Sequence, residues 1–235
     1  FRLSWPELRT VFFLSLFRAA TSLSLVIAYQ HIASGVASTI HFMYPLAVAL
    51  AMMCFFREKG SVWVFAAIGM SIVGAVLLSL GNVDFTRGNT TLGMVSAAVS
   101  VVSYGGYIVG VRKSRAVGID STVLTCYVMG LGALYFIAGG LVTGGIRIET
   151  DGTAWLCILG VALPATAVSN MTLVQAIKRI GPTLTSVFGA LEPLTAVVIG
   201  VAVFGEPFTV QGAAGILLIV AAVTIVILHS GRRKA

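Results

Sequence analysis

Residues 25–58 read LVIAYQHIASGVASTIHFMYPLAVALAMMCFFRE, and residues 173–206 read LVQAIKRIGPTLTSVFGALEPLTAVVIGVAVFGE. The two stretches align without a gap when the sequence is shifted by 148 positions, which places Pro45 on Pro193. Nine of the 34 aligned positions are identical. Apolar sequences match one another easily, but a Pro-Leu pair followed at a fixed distance by Phe-x-Glu is harder to obtain by chance. The alignment therefore predicts an internal repeat, and this repeat decides the fold.

The composition indicates that lipid is the main solvent of this chain. Hydrophobic residues make up 58% of the sequence and charged residues only 10%, whereas a soluble domain carries roughly 25% charged residues. A spanning helix needs about 20 mainly apolar residues, and eight segments meet this need. They are 9–31, 34–56, 62–80, 91–111, 122–144, 153–177, 183–204 and 208–229. We predict an all-α integral membrane protein, a polytopic helix bundle.

The distribution of charge predicts the direction of the spans. Twelve of the 15 Lys and Arg residues fall in alternate loops on one side of the predicted bundle, two fall on the other side, and Arg18 lies inside a span. We expect the basic side, which includes the C-terminus, to be cytoplasmic. The net charge of +7 follows from this topology. Nucleic-acid binding is not expected, because the basic residues are dispersed over several short loops.

Five predicted spans separate equivalent points of the repeat, so its two copies run in opposite directions through the membrane. Inverted repeats of this kind are typical of secondary transporters. The first repeat is predicted to occupy residues 1–81 and the second residues 90–230. Residues 90–148 have no counterpart in the first copy, so we expect two further N-terminal spans in the native protein. The prediction is thus two inverted five-helix repeats, with eight spans here and ten in the full-length protein.

Polar residues inside the predicted spans mark a candidate substrate site, because such residues are costly in a membrane and usually functional. The candidate substrate-binding residues are Arg18, His41, Tyr44, Tyr104, Asn170 and Glu192. Under the shift of 148 positions, Tyr44 falls on Glu192, and each precedes a proline. A proline frees a backbone carbonyl, and freed carbonyls at membrane depth are tolerated where they line a cavity.

Each candidate has more than one interpretation. Arg18 is suited to a forked contact with a carboxylate or phosphate, but it also has the length to reach the interface or to pair structurally. Glu192, near the midplane, is interpreted as a proton or cation site, as a structural partner of Arg18, or as a contact for a substrate ammonium. His41 is either a hydrogen-bonded interior residue or a ligand. Tyr104 either presents its ring to the cavity or packs between helices.

Motifs for chemistry are absent from the sequence. It has no GxxxxGK[ST] phosphate loop, no HExxH pair and no Ser/His/Asp set at a suggestive spacing. The three cysteines are scattered and show no metal-ligand spacing. We therefore predict neither an enzyme nor a cofactor, and assign no catalytic and no metal-binding residues. The sequence does not predict an oligomeric state.

The prolines also carry a resemblance to a known family. The segments HFMYPL at 41–46 and GALEPLTAVVIG at 189–200, the latter followed by FGEP at 204–207, resemble the EamA family of the drug/metabolite transporter superfamily. The resemblance extends over essentially the whole chain. It implies ten spans in two inverted repeats, a central cavity lined by helices that include 34–56 and 183–204, and transport of amino acids, other metabolites or drugs, often outward.

The function expected from these observations is secondary transport of a small amino-acid-like, polar or amphipathic metabolite, outward and by alternating access. The expected partners are this small molecule, membrane lipid and the proton as coupling ion, and the expected location is the bacterial inner membrane. One alternative is a multidrug exporter that prefers organic cations. An alternative from another class is a structural or receptor-like helix bundle that transports nothing.

Overall fold

The computed structural model describes residues 3–79, 88–145, 150–189, 191–204 and 210–232. Within these residues all regular structure is helical, as the composition predicts. The α-helices are α1 (Trp5–His31), α2 (Ser34–His41), α3 (Tyr44–Phe56), α4 (Val62–Ser79), α5 (Thr90–Lys113), α6 (Ser121–Thr143), α7 (Gly152–Gly160), α8 (Ser169–Ile180), α9 (Pro182–Phe188), α10 (Leu191–Phe204) and α11 (Val210–Arg232). A 3-10 turn, Arg115–Gly118, precedes α6, and a π-helical stretch, Val161–Val168, joins α7 to α8.

Five segments of the described chain are long and apolar enough to cross a membrane. They are Trp5–His31, Val36–Phe56, Thr90–Lys113, Ser121–Thr143 and Gly152–Ile180. Two shorter apolar segments, Val62–Leu77 and Val210–Ile225, lie where two further spans are predicted. The remaining predicted span, 183–204, is divided between α9 and α10. The chain is therefore a polytopic helical membrane protein, and the number of eight spans stays a prediction.

The two segments that contain the aligned prolines are interrupted rather than continuous. In the first, α2 ends at His41 and α3 begins at Tyr44, and in the second α9 ends at Phe188 and α10 begins at Leu191. The cause is that each proline lacks a backbone N–H, so the carbonyls of His41 and Gly189, four residues earlier, lose their α-helical hydrogen-bond donor. A tighter bond between residues three apart forms at each interruption, from the Met43 N–H to the Ile40 carbonyl and from the Glu192 N–H to the Gly189 carbonyl, both at 3.0 Å. Helices α3 and α10 therefore begin inside the bundle.

Helix boundaries in the two halves nearly coincide under the shift of 148 positions. The starts of α2, α3 and α4 fall within one residue of the starts of α9, α10 and α11. The long helix α1 falls on the segment from α7 to α8, but this segment contains the π-helical stretch around Pro164. The two halves therefore share their pattern of elements and differ in helix type in this one segment.

Several basic loops meet at one end of the bundle, which we call the basic end. The guanidinium of Arg112 and the ammonium of Lys178 donate to the carbonyls of Lys178 and Ile119 respectively. The ammonium of Lys113 lies 4.9 Å from the centre of the Phe56 ring. These contacts join the end of α3, the α5–α6 connection and the end of α8. The sequence-predicted grouping of these loops on one side thus agrees with their contacts.

A dense core fills the half of the bundle next to the basic end. Helices α1, α3, α5, α6 and α8 contribute its side chains. They include Val11, Leu14, Tyr44, Val48, Met52, Tyr107, Ile108, Val111, Leu124, Val128, Val174 and Ile177, none of them more than 3% exposed. By contrast, α7 and the π-helical stretch bury no residue. Packing is therefore tight at the basic end and sparse beside the π-helical stretch.

Two local features of the fold are a close contact between α4 and α11 and a side-chain cap at the start of α6. Helix α4 packs against α11, and a Cβ built on Gly74 would lie 2.7 Å from Ile219 Cγ1 and 2.9 Å from the Gly215 carbonyl oxygen. The α6 helix begins at Asp120, whose carboxylate accepts the backbone N–H groups of Thr122 at 2.8 Å and Val123 at 3.2 Å. These two bonds hold the pKa of the Asp120 carboxyl below its ordinary value.

Candidate functional site

A cavity of about 730 Å³ lies between α1, α2, α5, α8, α9 and α10. Five of the six sequence-predicted substrate residues line it, namely Arg18, His41, Tyr104, Asn170 and Glu192. The remaining lining residues are Thr21, Leu25, Ala165, Ser169, Leu173, Phe188, Gly189, Leu191 and Thr195. A cavity of this volume falls in the range of small-molecule sites. Its wall combines apolar side chains with one cation, one carboxylate and several hydroxyl and amide groups.

Arg18 is held in the wall of this cavity by contacts on three sides. Its Nε–H donates to the side-chain oxygen of Asn170 at 3.3 Å, and its Nη1 donates to the hydroxyl of Ser22 at 3.4 Å. Its guanidinium carbon lies 5.7 Å from the centre of the Tyr104 ring, which is cation–π distance. The interpretation of Arg18 as a side chain that reaches the interface does not fit these contacts. Its guanidinium faces the cavity instead.

Asn170 connects Arg18 to the π-helical stretch. Its side chain is only 3% exposed, and its Nδ2 donates to the carbonyl of Thr166 at 2.7 Å. The Thr166 hydroxyl in turn donates to the carbonyl of Val161 at 2.9 Å. Side chains thus bond to carbonyl groups of this irregular helical segment, as is common where a π-helical turn or a proline disturbs the backbone ladder.

Three aromatic rings pack against one another at one side of the site. Tyr44 and Tyr104 meet edge to face, with ring centres 4.7 Å apart. The His41 ring lies 5.5 Å from Tyr44 and 5.3 Å from Tyr104, centre to centre. Separations of this size are favourable for aromatic pairs. Of these three rings, those of His41 and Tyr104 line the cavity next to Arg18.

His41 is oriented by a bond to α5. Its Nδ1 lies 2.9 Å from the hydroxyl of Ser100, a fully buried residue. That hydroxyl also donates to the Ala97 carbonyl at 2.6 Å. A hydroxyl has a single proton, so His41 Nδ1–H is the donor toward Ser100. His41 is therefore a hydrogen-bonded residue of the cavity wall.

Glu192 lies in the first turn of α10, where the positive end of the helix dipole favours a carboxylate. Its side chain is exposed and lines the cavity. No hydrogen bond to its carboxylate comes from any residue that the structure describes, and Arg18 acts on it through charge alone. Among the described residues, the structure thus shows a hydrogen bond of Arg18 to Asn170 and none to Glu192.

Tyr44 lies behind the wall rather than on it, with 2% of its side chain exposed. A Cβ built on Gly189 would stand 1.6 Å from the Tyr44 hydroxyl oxygen. The hydroxyl thus occupies the space that any other residue at position 189 would fill. This contact brings together the two helix interruptions, one in each half of the chain.

The cavity extends away from the basic end. Its lining runs from Arg18 to Leu25 along α1 and from Glu192 to Thr195 along α10, and both directions lead away from the basic loops. Beneath the aromatic rings, the dense core closes the bundle toward the basic end. The dense core therefore separates Arg18 and Glu192 from the basic end of the bundle.

Sequence reasoning identified Tyr104 on α5 but missed the buried serines on the same face of that helix. Ser96, Ser100, Ser103, Tyr104 and Tyr107 are all buried and follow helical spacing, and Ser100 fixes the His41 ring. The signal was present in the sequence as hydroxyl groups at intervals of three or four positions along one face.

The described ranges contain no group of three or more His, Cys, Asp or Glu residues placed to hold a metal ion.

Comparison with known proteins adds three findings. A model of the EamA-like transporter family matches residues 91–228, more than half of the chain. An uncharacterized transporter from Archaeoglobus fulgidus is 24% identical over 217 residues, which are 92% of this chain and 76% of that protein. A crystal structure superposes on 100% of this chain and 80% of its own with a TM-score of 0.80 and 18% identity. At that identity the structural likeness shows the fold alone.

Proposed function

Because the chain belongs to the EamA-like transporter family, and is accordingly a membrane transporter and not an enzyme, we propose that it moves an amino-acid-like metabolite by alternating access. The observation that carries this proposal is the placement of Arg18 and Glu192 in the wall of one cavity. Arg18 binds the substrate carboxylate through N–H groups that its protein partners leave free. Glu192 binds the substrate ammonium or a coupling proton.

Arg18 has the capacity for this role. A guanidinium carries five N–H donors, and the described contacts use one on Nε and one on Nη1. The others remain available for a carboxylate, with the forked geometry that arginine favours. The rings of Tyr104 and His41 offer an apolar surface beside it for the rest of the substrate.

The same geometry supports a proposal for the direction of transport and for the orientation of the chain in the membrane. The coinciding helix boundaries support two repeats of opposite direction, residues 1–81 and 90–230, and the grouped basic loops support a cytoplasmic basic end with a cytoplasmic C-terminus. In a bacterial inner membrane, the cavity then opens to the outside. In an export cycle this conformation releases substrate, and an inward-facing conformation loads it. Protonation of Glu192 during the return step provides the coupling.

A second candidate is an exporter of organic cations. It is favoured by the Glu192 carboxylate, for which the described residues supply no hydrogen-bond partner, and by the aromatic rings nearby. A desolvated cation would gain from both the carboxylate and the ring faces. The two candidates differ in one property, because only the first requires a carboxylate on the substrate.

Transport by purified protein in liposomes distinguishes them. The assay measures uptake and efflux of the 20 common L-amino acids, their carboxamides and a set of quaternary ammonium ions at two pH gradients. We expect an amino acid to be transported better than its carboxamide, and Arg18→Ala to remove this preference. Arg9→Ala, an exposed residue of the same helix, is the matched control. Transport of carboxamides and ammonium ions in preference to every amino acid would instead support the second candidate.

Glu192→Gln tests the coupling step. If Glu192 carries the proton, this variant transports without dependence on the pH gradient, whereas Glu58→Gln at the basic end keeps the wild-type dependence. Unchanged pH dependence in Glu192→Gln would remove the proton role. Absence of transport for all probes, in protein that is folded by its melting curve, would contradict both candidates and leave a structural or receptor-like bundle.

A further inference from the structure

We propose that Asn170 is a positioning residue that fixes the direction from which Arg18 receives a substrate carboxylate. This inference rests on the proposed function, since it concerns the anion site of the same cavity. Asn170 touches Arg18 directly and lines the cavity. Both the nitrogen and the oxygen of its amide are nevertheless bonded to the protein, which makes it a support for Arg18.

The orientation of the Asn170 amide is decided by its second partner. Only the NH₂ group can bond to the Thr166 carbonyl, because a carbonyl only accepts. Nδ2 therefore points to Thr166 at 2.7 Å, and Oδ1 is left to accept from Arg18 Nε at 3.3 Å. With 3% exposure, the side chain has little room to leave this arrangement.

This bond limits how a carboxylate approaches Arg18. A guanidinium offers one fork at its side, which includes Nε, and another at its tip, made of the two terminal nitrogens. Because Asn170 accepts the Nε–H, the side fork is closed to a ligand. The tip fork keeps free N–H groups, although Ser22 shares Nη1 at 3.4 Å. The carboxylate is therefore received end-on.

The position of Asn170 depends in turn on the π-helical stretch. The Thr166 carbonyl lies in that stretch and also accepts the backbone N–H of Ser169, three residues on. Its location is set by the disturbed backbone around Pro164. The equivalent part of the first half is the regular helix α1. The π-helical stretch thus lies next to Asn170, which supports the anion site, whereas the equivalent segment of the first half is the regular helix that carries Arg18.

The test measures dissociation constants in detergent solution for the L-amino acid that binds wild-type protein most tightly and for its carboxamide. The readout is the ratio of the two constants, which reports recognition of the carboxylate alone. We expect Asn170→Ala to reduce the wild-type preference for the carboxylate by about tenfold, the effect of one hydrogen bond to a charged group. The matched control is Thr172→Val, which removes an exposed hydroxyl bonded to the Val168 carbonyl at 2.9 Å in the same helix.

Asn170→Asp gives a second, independent readout. The new carboxylate would itself occupy Arg18, so the substrate preference should fall further than in Asn170→Ala and recover as the pH is lowered and the aspartate is protonated. The charged or titratable groups around it are Arg18 on α1, His41 on α2, Tyr104 on α5 and Glu192 on α10. Repeating the titration with Glu192→Gln and with His41→Gln assigns the recovery to position 170.

The outcomes separate this inference from the proposed function. If Arg18→Ala removes the carboxylate preference and Asn170→Ala keeps it, Asn170 is not a positioning residue and the proposed function stands. If Asn170→Ala lowers only the melting temperature and leaves the ratio unchanged, its role is structural and the inference is wrong. If wild-type protein shows no preference for a carboxylate, the proposed function fails first, and this inference fails with it.

Discussion

The contact between Tyr44 and Gly189 leads to the most specific prediction. Gly189→Ala would place a Cβ 1.6 Å from the Tyr44 hydroxyl oxygen and 3.0 Å from Tyr44 Cζ. Close contacts between carbon and oxygen begin at about 3.3 Å, so the hydroxyl must move by roughly 1.7 Å. The ring is buried and its centre lies 4.7 Å from that of Tyr104, so such a movement disturbs the whole aromatic cluster.

The size of this effect follows from measured costs of overpacking. Extra atoms in a packed core cost about 1–3 kcal/mol, and replacing glycine by alanine returns up to about 1 kcal/mol where the backbone is helical. We expect Gly189→Ala to lower the free energy of unfolding by about 2 kcal/mol, a fall in Tm of roughly 4–8 °C for a chain of this size. The assay is thermal unfolding in detergent or lipid nanodiscs, followed by intrinsic fluorescence.

Two further variants make the Gly189→Ala result decisive. Gly69→Ala in α4 is the matched control, because a Cβ there meets nothing within 4 Å, and its Tm should not fall. In the Tyr44→Phe background the hydroxyl is gone, so the same Gly189→Ala change should cost at least about 1 kcal/mol less than in wild type. Equal melting temperatures for Gly189→Ala and Gly69→Ala, or an undiminished cost without the hydroxyl, would refute the reasoning.

Three more predictions address the cap, the helix packing and the histidine. Asp120→Ala should lower Tm at pH 7. Because the folded pKa of Asp120 lies below its ordinary value of 3.8, the stability that its carboxylate contributes is complete above pH 3.8 and is lost as the pH falls through the lower folded pKa. A Tm difference between variant and wild type that is as large at pH 2 as at pH 7 would contradict this. Gly74→Ala should cost about 1–3 kcal/mol in the same melting assay, because its Cβ meets Ile219 and the Gly215 carbonyl oxygen, and Ile219→Ala should relieve only part of that cost, since the backbone contact remains. Ser100→Ala should cost about 1–3 kcal/mol by leaving His41 Nδ1 without its partner; a melting curve like that of wild type would show that the bond contributes nothing.

Much of the candidate site could be predicted because lipid constrains polar residues so strongly. Arg18, Asn170 and Glu192 had to face the interior, and the structure places all three on one cavity. The helical class and the grouping of the basic loops followed from composition and charge in the same way. These features depend on the depth of a residue in its segment, which can be counted along a sequence.

The sequence could not predict in this way which side chains of neighbouring helices touch. A pair of Arg18 with Glu192 was one of the interpretations that the sequence left open, whereas the structure pairs Arg18 with Asn170, because the choice depends on helix rotation and side-chain reach. Tyr44 was expected on the cavity wall, but the missing side chain at Gly189 lets its hydroxyl sink into the neighbouring helix. The alignment of the two prolines marked the segments that contain Tyr44 and Gly189, but only the packing of the helices shows that these two residues touch.

The packing of α4 against α11 has a consequence for how the chain is assembled. The two helices come from opposite halves of the sequence, and the absence of a side chain at Gly74 lets their backbones approach closely. Helix α1 likewise packs against α5 across the same division. A polypeptide cut between Ser79 and Thr90 would therefore leave two fragments with matching surfaces. We expect the fragments, co-expressed as separate genes, to find each other in the membrane and to co-purify as one complementing pair.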